Sequence, residues 1–303
     1  MSRIESVLAP LGSIDPRWAM LALALQLTNL ACRASAWRNV LAAAFPAERL
    51  SVWRVGCAYA IGAGLNGYLP ARGGDAAKIA LVRLQHPATN AVSIGASSGV
   101  LVLLDALIAA ALLVLGWRTG VLPNPPSIGS LPGVVPMLAV LGVVLAVIAA
   151  RRARPLLLRT LRQARRGFAV LGSPGRYART VLPLQLAAWC CRIGVVWCLL
   201  AAFGIHASLP LAALLVVAGG ASTMVPVPGG AGTQQVLAMF VLSSVASSSS
   251  ALGYSIGAQL AITLVNTTIA VLASMLVFGR LHPLAALRQS LAAIRAPQPA
   301  TTG

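Results

Sequence analysis

The chain has 303 residues, 58% of them hydrophobic and only 9% charged, and it carries a formal net charge of +18. Soluble domains are about one-quarter charged, so this balance excludes an ordinary globular enzyme and describes a protein whose solvent is largely lipid. The basic excess lies between apolar runs rather than on a soluble fold, which points to membrane topology and anionic lipid and away from nucleic acid as a partner.

Residues 1–16 hold Arg3, Glu5 and Asp15 and read as a surface segment. Residues 18–32 have the length of a signal-peptide core, with Ala34-Ser35-Ala36 as an A-x-A site. A repeat argues against cleavage: Gln26-Leu27 followed by Cys32-Arg33 returns as Gln185-Leu186 followed by Cys191-Arg192. A retained spanning helix is therefore predicted over 17–44, with Arg33 near its middle. The next apolar segment, 50–69, ends in Asn66-Gly67-Tyr68-Leu69-Pro70-Ala71-Arg72-Gly73-Gly74-Asp75-Ala76-Ala77-Lys78. Glycine and proline both break helices there. The stretch from Pro70 to Pro87 is too short and polar to cross a bilayer, which takes ~20 apolar residues. The pattern predicts a re-entrant hairpin, in along 52–69 and back along 75–85. Broken backbone at that depth is tolerated only where protein or a water-filled cavity covers it.

Residues 89–116 are a long apolar helix interrupted by Asp105; Pro123, Pro125, Pro126 and Pro132 mark a loop, and 133–150 spans again. Nine arginines follow between 151 and 179. Within them Leu157, Leu161, Ala164 and Phe168 form a stripe of period 3.6, with Arg159, Arg162, Arg165 and Arg166 off it. This predicts an interfacial amphipathic helix, the plain alternative being a solvated basic loop. Residues 180–203 span with Arg192 central. Residues 208–225 run into Val225-Pro226-Val227-Pro228-Gly229-Gly230-Ala231-Gly232-Thr233-Gln234-Gln235, residues 231–250 return, and 255–279 span. The tail, 281–303, is basic and then polar.

Two repeats emerge, 17–150 and 180–280, joined by the basic segment 151–179. Pro70 with Gly73-Gly74 recurs as Pro226 with Gly229-Gly230, and Ser93-Ile94-Gly95-Ala96 as Ser255-Ile256-Gly257-Ala258. The arginine bias places 151–179 and the tail in the cytoplasm of a multi-pass protein of the plasma (inner) membrane. With hairpins that re-enter, the repeats are inverted; if 50–69 spans instead, they are parallel. The expected fold is thus an all-α polytopic membrane bundle of two inverted repeats, each broken at a Pro/Gly-Gly motif. Gly/Pro-interrupted segments at matching places in two halves point to a transporter's binding site.

Charges expected at membrane depth are Arg33, Arg72, Lys78 and Arg192 against Asp75 and Asp105, an excess of two cations. Paired charges can simply hold helices together. The excess instead asks for an anion, and arginine matches phosphate in a bidentate fork. Asn66, Gln234, Gln235 and Asn266 are candidates for hydrogen bonds to glycerol or sugar hydroxyls, and Gly73, Gly74, Pro228, Gly229 and Gly230 for backbone donors at helix starts. The candidate substrate-binding set is completed by Pro226. His86, His206 and His282 are scattered, and the five cysteines lack metal-ligand spacing. No catalytic residue, metal or cofactor is expected.

On Asn66, Leu69-Pro70, Arg72 and Gly74-Asp75, and on Pro226, Pro228-Gly229-Gly230 and Gly232, the chain resembles the lysylphosphatidylglycerol synthase transmembrane-region family of flippase-like membrane proteins. The resemblance covers roughly 20 to 280. It implies a membrane part that moves a modified anionic lipid, which in relatives is made by a fused cytoplasmic aminoacyl-transferase domain. These 303 residues hold no hydrophilic block of that size, so lipid lysinylation by this chain alone is not expected. The chain departs from the family pattern in Asp75, where the family often has Glu. It departs also in Leu101-Val102, where a Glu-Arg pair is common, and in Gln234-Gln235, where Arg-Glu is usual.

The function expected is alternating-access transport of an anionic or lipid-linked head-group, with membrane lipids as partners and a separate transferase as a further one. The alternatives are a non-catalytic membrane subunit or scaffold for a lipid- or glycosyl-transferase, and a passive channel. Single cysteines placed at 160–175 in a Cys-less background are predicted to react with thiol reagents only from the cytoplasmic side. Labelling of intact cells by an impermeant reagent would contradict the orientation.

Overall fold

The computed structural model describes residues 15–118, 168, 172–206, 208–223, 227–243 and 245–278. The expected span 133–150, most of the arginine-rich segment, Pro226 and the tail lie outside the described residues. Among the described residues all regular structure is helical. The α-helices are α1 (Pro16–Ala44), α2 (Val52–Leu65), α3 (Gly73–Gln85), α4 (Ala91–Arg118), α5 (Pro174–Thr180), α6 (Leu182–Ala202), α7 (Leu209–Ser222), α8 (Thr233–Leu242) and α9 (Ser248–Phe278). Short 3-10 turns, Pro70–Arg72 and Pro228–Gly230, precede α3 and α8.

Local chemistry sets the helix starts. Asp15 accepts from the Arg17 amide at 2.9 Å ahead of Pro16, and Asn90 from the Val92 amide at 2.8 Å. Both satisfy donors that the first turn leaves open. The serines at 247–250 act likewise. The Ser247 hydroxyl accepts from the Ser250 amide at 3.2 Å, so this run caps α9. That corrects the sequence boundaries: the return after the second motif ends at Leu242 rather than 250, and the last helix begins at Ser248 rather than 255.

Among the described residues three helices are long and apolar enough to cross a membrane, Ala91–Gly116, Leu182–Ala202 and Ser248–Val277. Helix α1 is less apolar, because it carries Arg17, Arg33 and Arg38, but its 29 residues extend ~43 Å. It lies antiparallel along α6. Trp18 meets Trp197 edge-on with ring centroids 5.2 Å apart, Leu25 packs over Gly194, and the Asn39 side-chain amide donates to the Thr180 carbonyl at 2.8 Å. The four helices around the Pro/Gly turns have 14, 13, 14 and 10 residues, each short of a full crossing.

The helix pairs that pack in one half have counterparts in the other. Helix α2 packs on α3 and α7 on α8; α2 packs on α9 and α7 on α4; and the two 3-10 turns pack on each other. The buried apolar residues gather mainly into two separate cores. One gathers Trp37, Val40 and Leu41 from the end of α1 with Ile61, Leu81, Val82 and Ile94. The other gathers Val195, Leu199 and Leu200 from the end of α6 with Leu211, Leu215, Leu242 and Tyr254. Because α1 and α6 are antiparallel, these cores lie towards opposite ends of the pair. The stretch carrying Arg33 and Arg192 falls between them.

The turns match in a register that the sequence alignment missed. Arg72 (φ 57°) and Gly230 (φ 69°) both end a 3-10 turn in left-handed backbone, which pairs Pro70 with Pro228 rather than with Pro226. Recurrence of a proline and two glycines could be satisfied two residues apart, and backbone conformation decides between the two fits. Arg72 is also the one non-glycine residue with positive φ among those described. Such backbone costs of order 1 kcal/mol and persists where its surroundings impose it.

Close helix crossings depend on missing side chains. A Cβ at Gly64 would collide with Ala270 and approach the Asn266 carbonyl oxygen to 2.8 Å, whereas one at Gly56, in the same helix, would meet nothing within 4 Å. Gly64→Ala is therefore predicted to lower stability by about 1–3 kcal/mol through overpacking against α9. Gly56→Ala should raise it by about 0.5–1 kcal/mol through helix propensity. Thermal unfolding in detergent checks the opposite signs, and equal shifts would refute the crossing.

Candidate functional site

The seam between α1 and α6 carries residues that a membrane interior does not accept without partners. Arg33 forms a two-pronged ion pair with Asp105 of α4, at 2.7 Å and 3.3 Å, and its Nε donates to the Tyr59 hydroxyl of α2 at 2.8 Å. Asp105 accepts a further hydrogen bond, 2.8 Å, from the Trp189 indole of α6. Asp105 and Arg33 keep only 18% and 12% of their side-chain surface, so the pair is largely desolvated. Arg192, one turn beyond Trp189, rests on that ring at 5.0 Å from its centroid. This half-buried guanidinium makes no ion pair or hydrogen bond among the described residues. Arg33 and Arg192 thus share one seam but differ in state, Arg33 paired with a carboxylate and Arg192 on a ring face without an ion pair among the described residues.

The first broken motif builds a second charged cluster. Asp75, in the first turn of α3, meets Lys78 at 3.0 Å and Arg72 at 3.4 Å, and accepts from the Asn66 amide at 3.3 Å. Asp75 thus pairs with Arg72 and Lys78, while Arg33 is committed to Asp105. Lys78 is buried, with its ammonium 5.1 Å from the Trp37 ring and 5.2 Å from the Tyr59 ring. Cation–π attraction gains strength in such a desolvated position. Tyr59 therefore joins the clusters, its ring to Lys78 and its hydroxyl to Arg33. Gly73 and Gly74 start α3 and let it cross α2 closely: a Cβ at Gly74 would collide with the Gly62 carbonyl oxygen.

The second motif is built from amides. The Gln235 side chain accepts from the Gly232 amide at 2.6 Å and donates to Gln259 at 2.6 Å, and Gln259 donates to the Gly229 carbonyl at 2.9 Å. Gln234 makes no hydrogen bond among the described residues. Pro228, Gly229 and Gly230 form the turn, and a Cβ on Gly229 would stand 2.8 Å from the Gly67 carbonyl oxygen, so the hairpin tips meet backbone to backbone. Asn266 instead joins α1, accepting from Gln26 at 2.8 Å. The candidate residues thus fall into a charged centre and an amide-lined turn.

Sequence reasoning missed Tyr59, Trp37, Trp189, Gln26, Asn29 and Gln259. Aromatic residues in apolar helices read as core. The one usable signal was Gln26, Asn29 and Arg33 on a single face of α1 at helical spacing.

Between α1, α2 and α9 lies a groove of about 550 Å³, lined by apolar residues including Leu30, Ala31, Trp53 and Ile269 and bounded by Tyr59. An all-helical membrane protein with an ionised interior and an apolar groove beside it is the class that fold and site define. The chain belongs to the lysylphosphatidylglycerol synthase TM region family, whose family model matches residues 2–292. A comparison with curated proteins found no match.

Removing Arg33 strands a largely desolvated carboxylate. Arg33→Gln is predicted to cost about 2–4 kcal/mol, whereas the double variant Arg33→Gln/Asp105→Asn should cost less than the sum of the singles by at least about 1 kcal/mol. A double-mutant cycle in detergent measures this, and strict additivity would show the pair to be uncoupled.

Proposed function

We propose that this protein is a transporter of the flippase type, carrying a lipid with an anionic head-group across the bilayer, and not an enzyme. The observation that carries the reading is Arg192. A guanidinium in an apolar seam, beside a carboxylate already neutralised by another arginine, is incomplete without an anion, and phosphate fits its donors. The neighbouring groove supports a lipid over a soluble anion, since it offers apolar surface next to the charged centre.

Two features support alternating access. The antiparallel α1–α6 pair and the crosswise packing of the halves suit inverted repeats, which would place the arginine seam near the midplane. The four short helices suit hairpins that re-enter rather than span, with glycine-dependent crossings that allow them to slide. On this reading Asp75 is a latch: it holds Arg72 and Lys78 while the tips at Gly67 and Gly229 are closed. The protein would sit in the plasma membrane with its arginine-rich segment cytoplasmic. A separate transferase would supply any modified head-group.

In liposomes, Arg192→Gln is expected to reduce movement of labelled phosphatidylglycerol at least tenfold while changing thermal stability little, because no ion pair is lost. Asp75→Asn is expected to reduce movement as well, with loss of the hold on Lys78. Normal flipping by Arg192→Gln would refute the proposed role of that arginine.

A further inference from the structure

Among the described residues two buried amide oxygens at the charged groups lack a hydrogen-bond partner, Asn66 Oδ1 in the Asp75 cluster and Asn29 Oδ1 on α1. Asn29 is only 6% exposed. Its Nδ2 donates to Gln26 Oε1 at 3.3 Å, and Gln26 Nε2 donates to Asn266 Oδ1 at 2.8 Å. These three amides run head to tail, and Asn29 Oδ1 ends the chain buried and without a hydrogen-bond partner among the described residues. A buried acceptor left unmade costs about 1–3 kcal/mol, and such atoms are few in folded proteins.

Its position is informative. With Leu25 over Gly194 and Asn39 bonded to Thr180, the antiparallel register sets Asn29 opposite residue 190, within a turn of Arg192. Asn29 also lies one turn from Arg33 on the same face of α1. A free cation and a free acceptor therefore lie at the same level of the α1–α6 seam. Both carboxylates of the centre are taken, Asp105 by Arg33 and Trp189, Asp75 by Arg72, Lys78 and Asn66.

We propose that the site selects a head-group joining one phosphate charge to a hydroxyl donor, that is, the phosphodiester of a polyol, and disfavours one bearing an ammonium. The phosphate goes to Arg192 and the hydroxyl donates to Asn29 Oδ1. An ammonium finds no unneutralised carboxylate at the centre and is repelled by Arg192. This rests on the anionic-lipid reading above and narrows it to a substrate class.

The test is competition for the purified full chain in phosphatidylcholine nanodiscs, with fluorescent phosphatidylglycerol as the tracer. Unlabelled phosphatidylglycerol, phosphatidylmethanol and lysylphosphatidylglycerol of matched chains compete. Phosphatidylmethanol has the same charge without the hydroxyls; the lysyl lipid adds ammonium groups. Phosphatidylglycerol is expected to compete roughly tenfold better than phosphatidylmethanol, the size of one buried hydrogen bond, and at least tenfold better than the lysyl lipid. Asn29→Leu should bring the first gap below twofold while leaving phosphatidylmethanol within twofold of its original value. Equal competition by the two anions, or equal or better competition by the lysyl lipid, overturns the inference even if Asn29→Leu does not fold. Failure of both anions to compete overturns the anionic-lipid reading, and this inference with it.

Discussion

Two guanidiniums and one carboxylate share the seam between α1 and α6, and the rest of the structure is arranged around that mismatch. Arginine stays charged at any accessible pH, so it cannot escape a low-dielectric environment by losing its proton. One arginine is satisfied by a two-pronged carboxylate and a tyrosine hydroxyl. The other is left on an indole face. Charges attract more strongly where the local dielectric is low, so an anion arriving beside that arginine would be held more firmly than at a protein surface.

The hairpins connect to this seam through shared side chains. Tyr59 touches both clusters, so displacement of α3 that moves Lys78 also disturbs the tyrosine holding Arg33. The left-handed Arg72 and the touching tips place strained or side-chain-free backbone where the hairpins would have to part. Two apolar cores lie towards opposite ends of the α1–α6 pair, with the polar centre between them.

Much of this arrangement was legible in the residues. Arg33 and Arg192 stood out because charge inside apolar runs is expensive, and the Pro/Gly breaks because helices end at them. Of those charges the structure pairs Arg33 with Asp105, and Arg72 and Lys78 with Asp75. What the sequence hid has physical causes. Tyr59 and Trp189 supply hydrogen bonds from side chains that are otherwise core formers, so their position, not their type, carries the information. The repeat register slipped by two residues because glycine and proline recur in both turns, whereas the left-handed φ of Arg72 and Gly230 depends on the folded backbone. The start of α9 was hidden by four serines, residues equally at home in a loop or as a helix cap.

The central claim is that Arg192 is the anion-binding group of the seam. It is tested most directly by ligand-linked stability, since a lipid that binds the folded state raises the unfolding temperature. Wild-type protein, Arg192→Gln and the exposed-arginine control Arg176→Gln would be unfolded thermally in neutral detergent with increasing phosphatidylglycerol. A rise in Tm for wild type and Arg176→Gln, with a flat response for Arg192→Gln, is the predicted result. The same rise in Arg192→Gln would contradict the account.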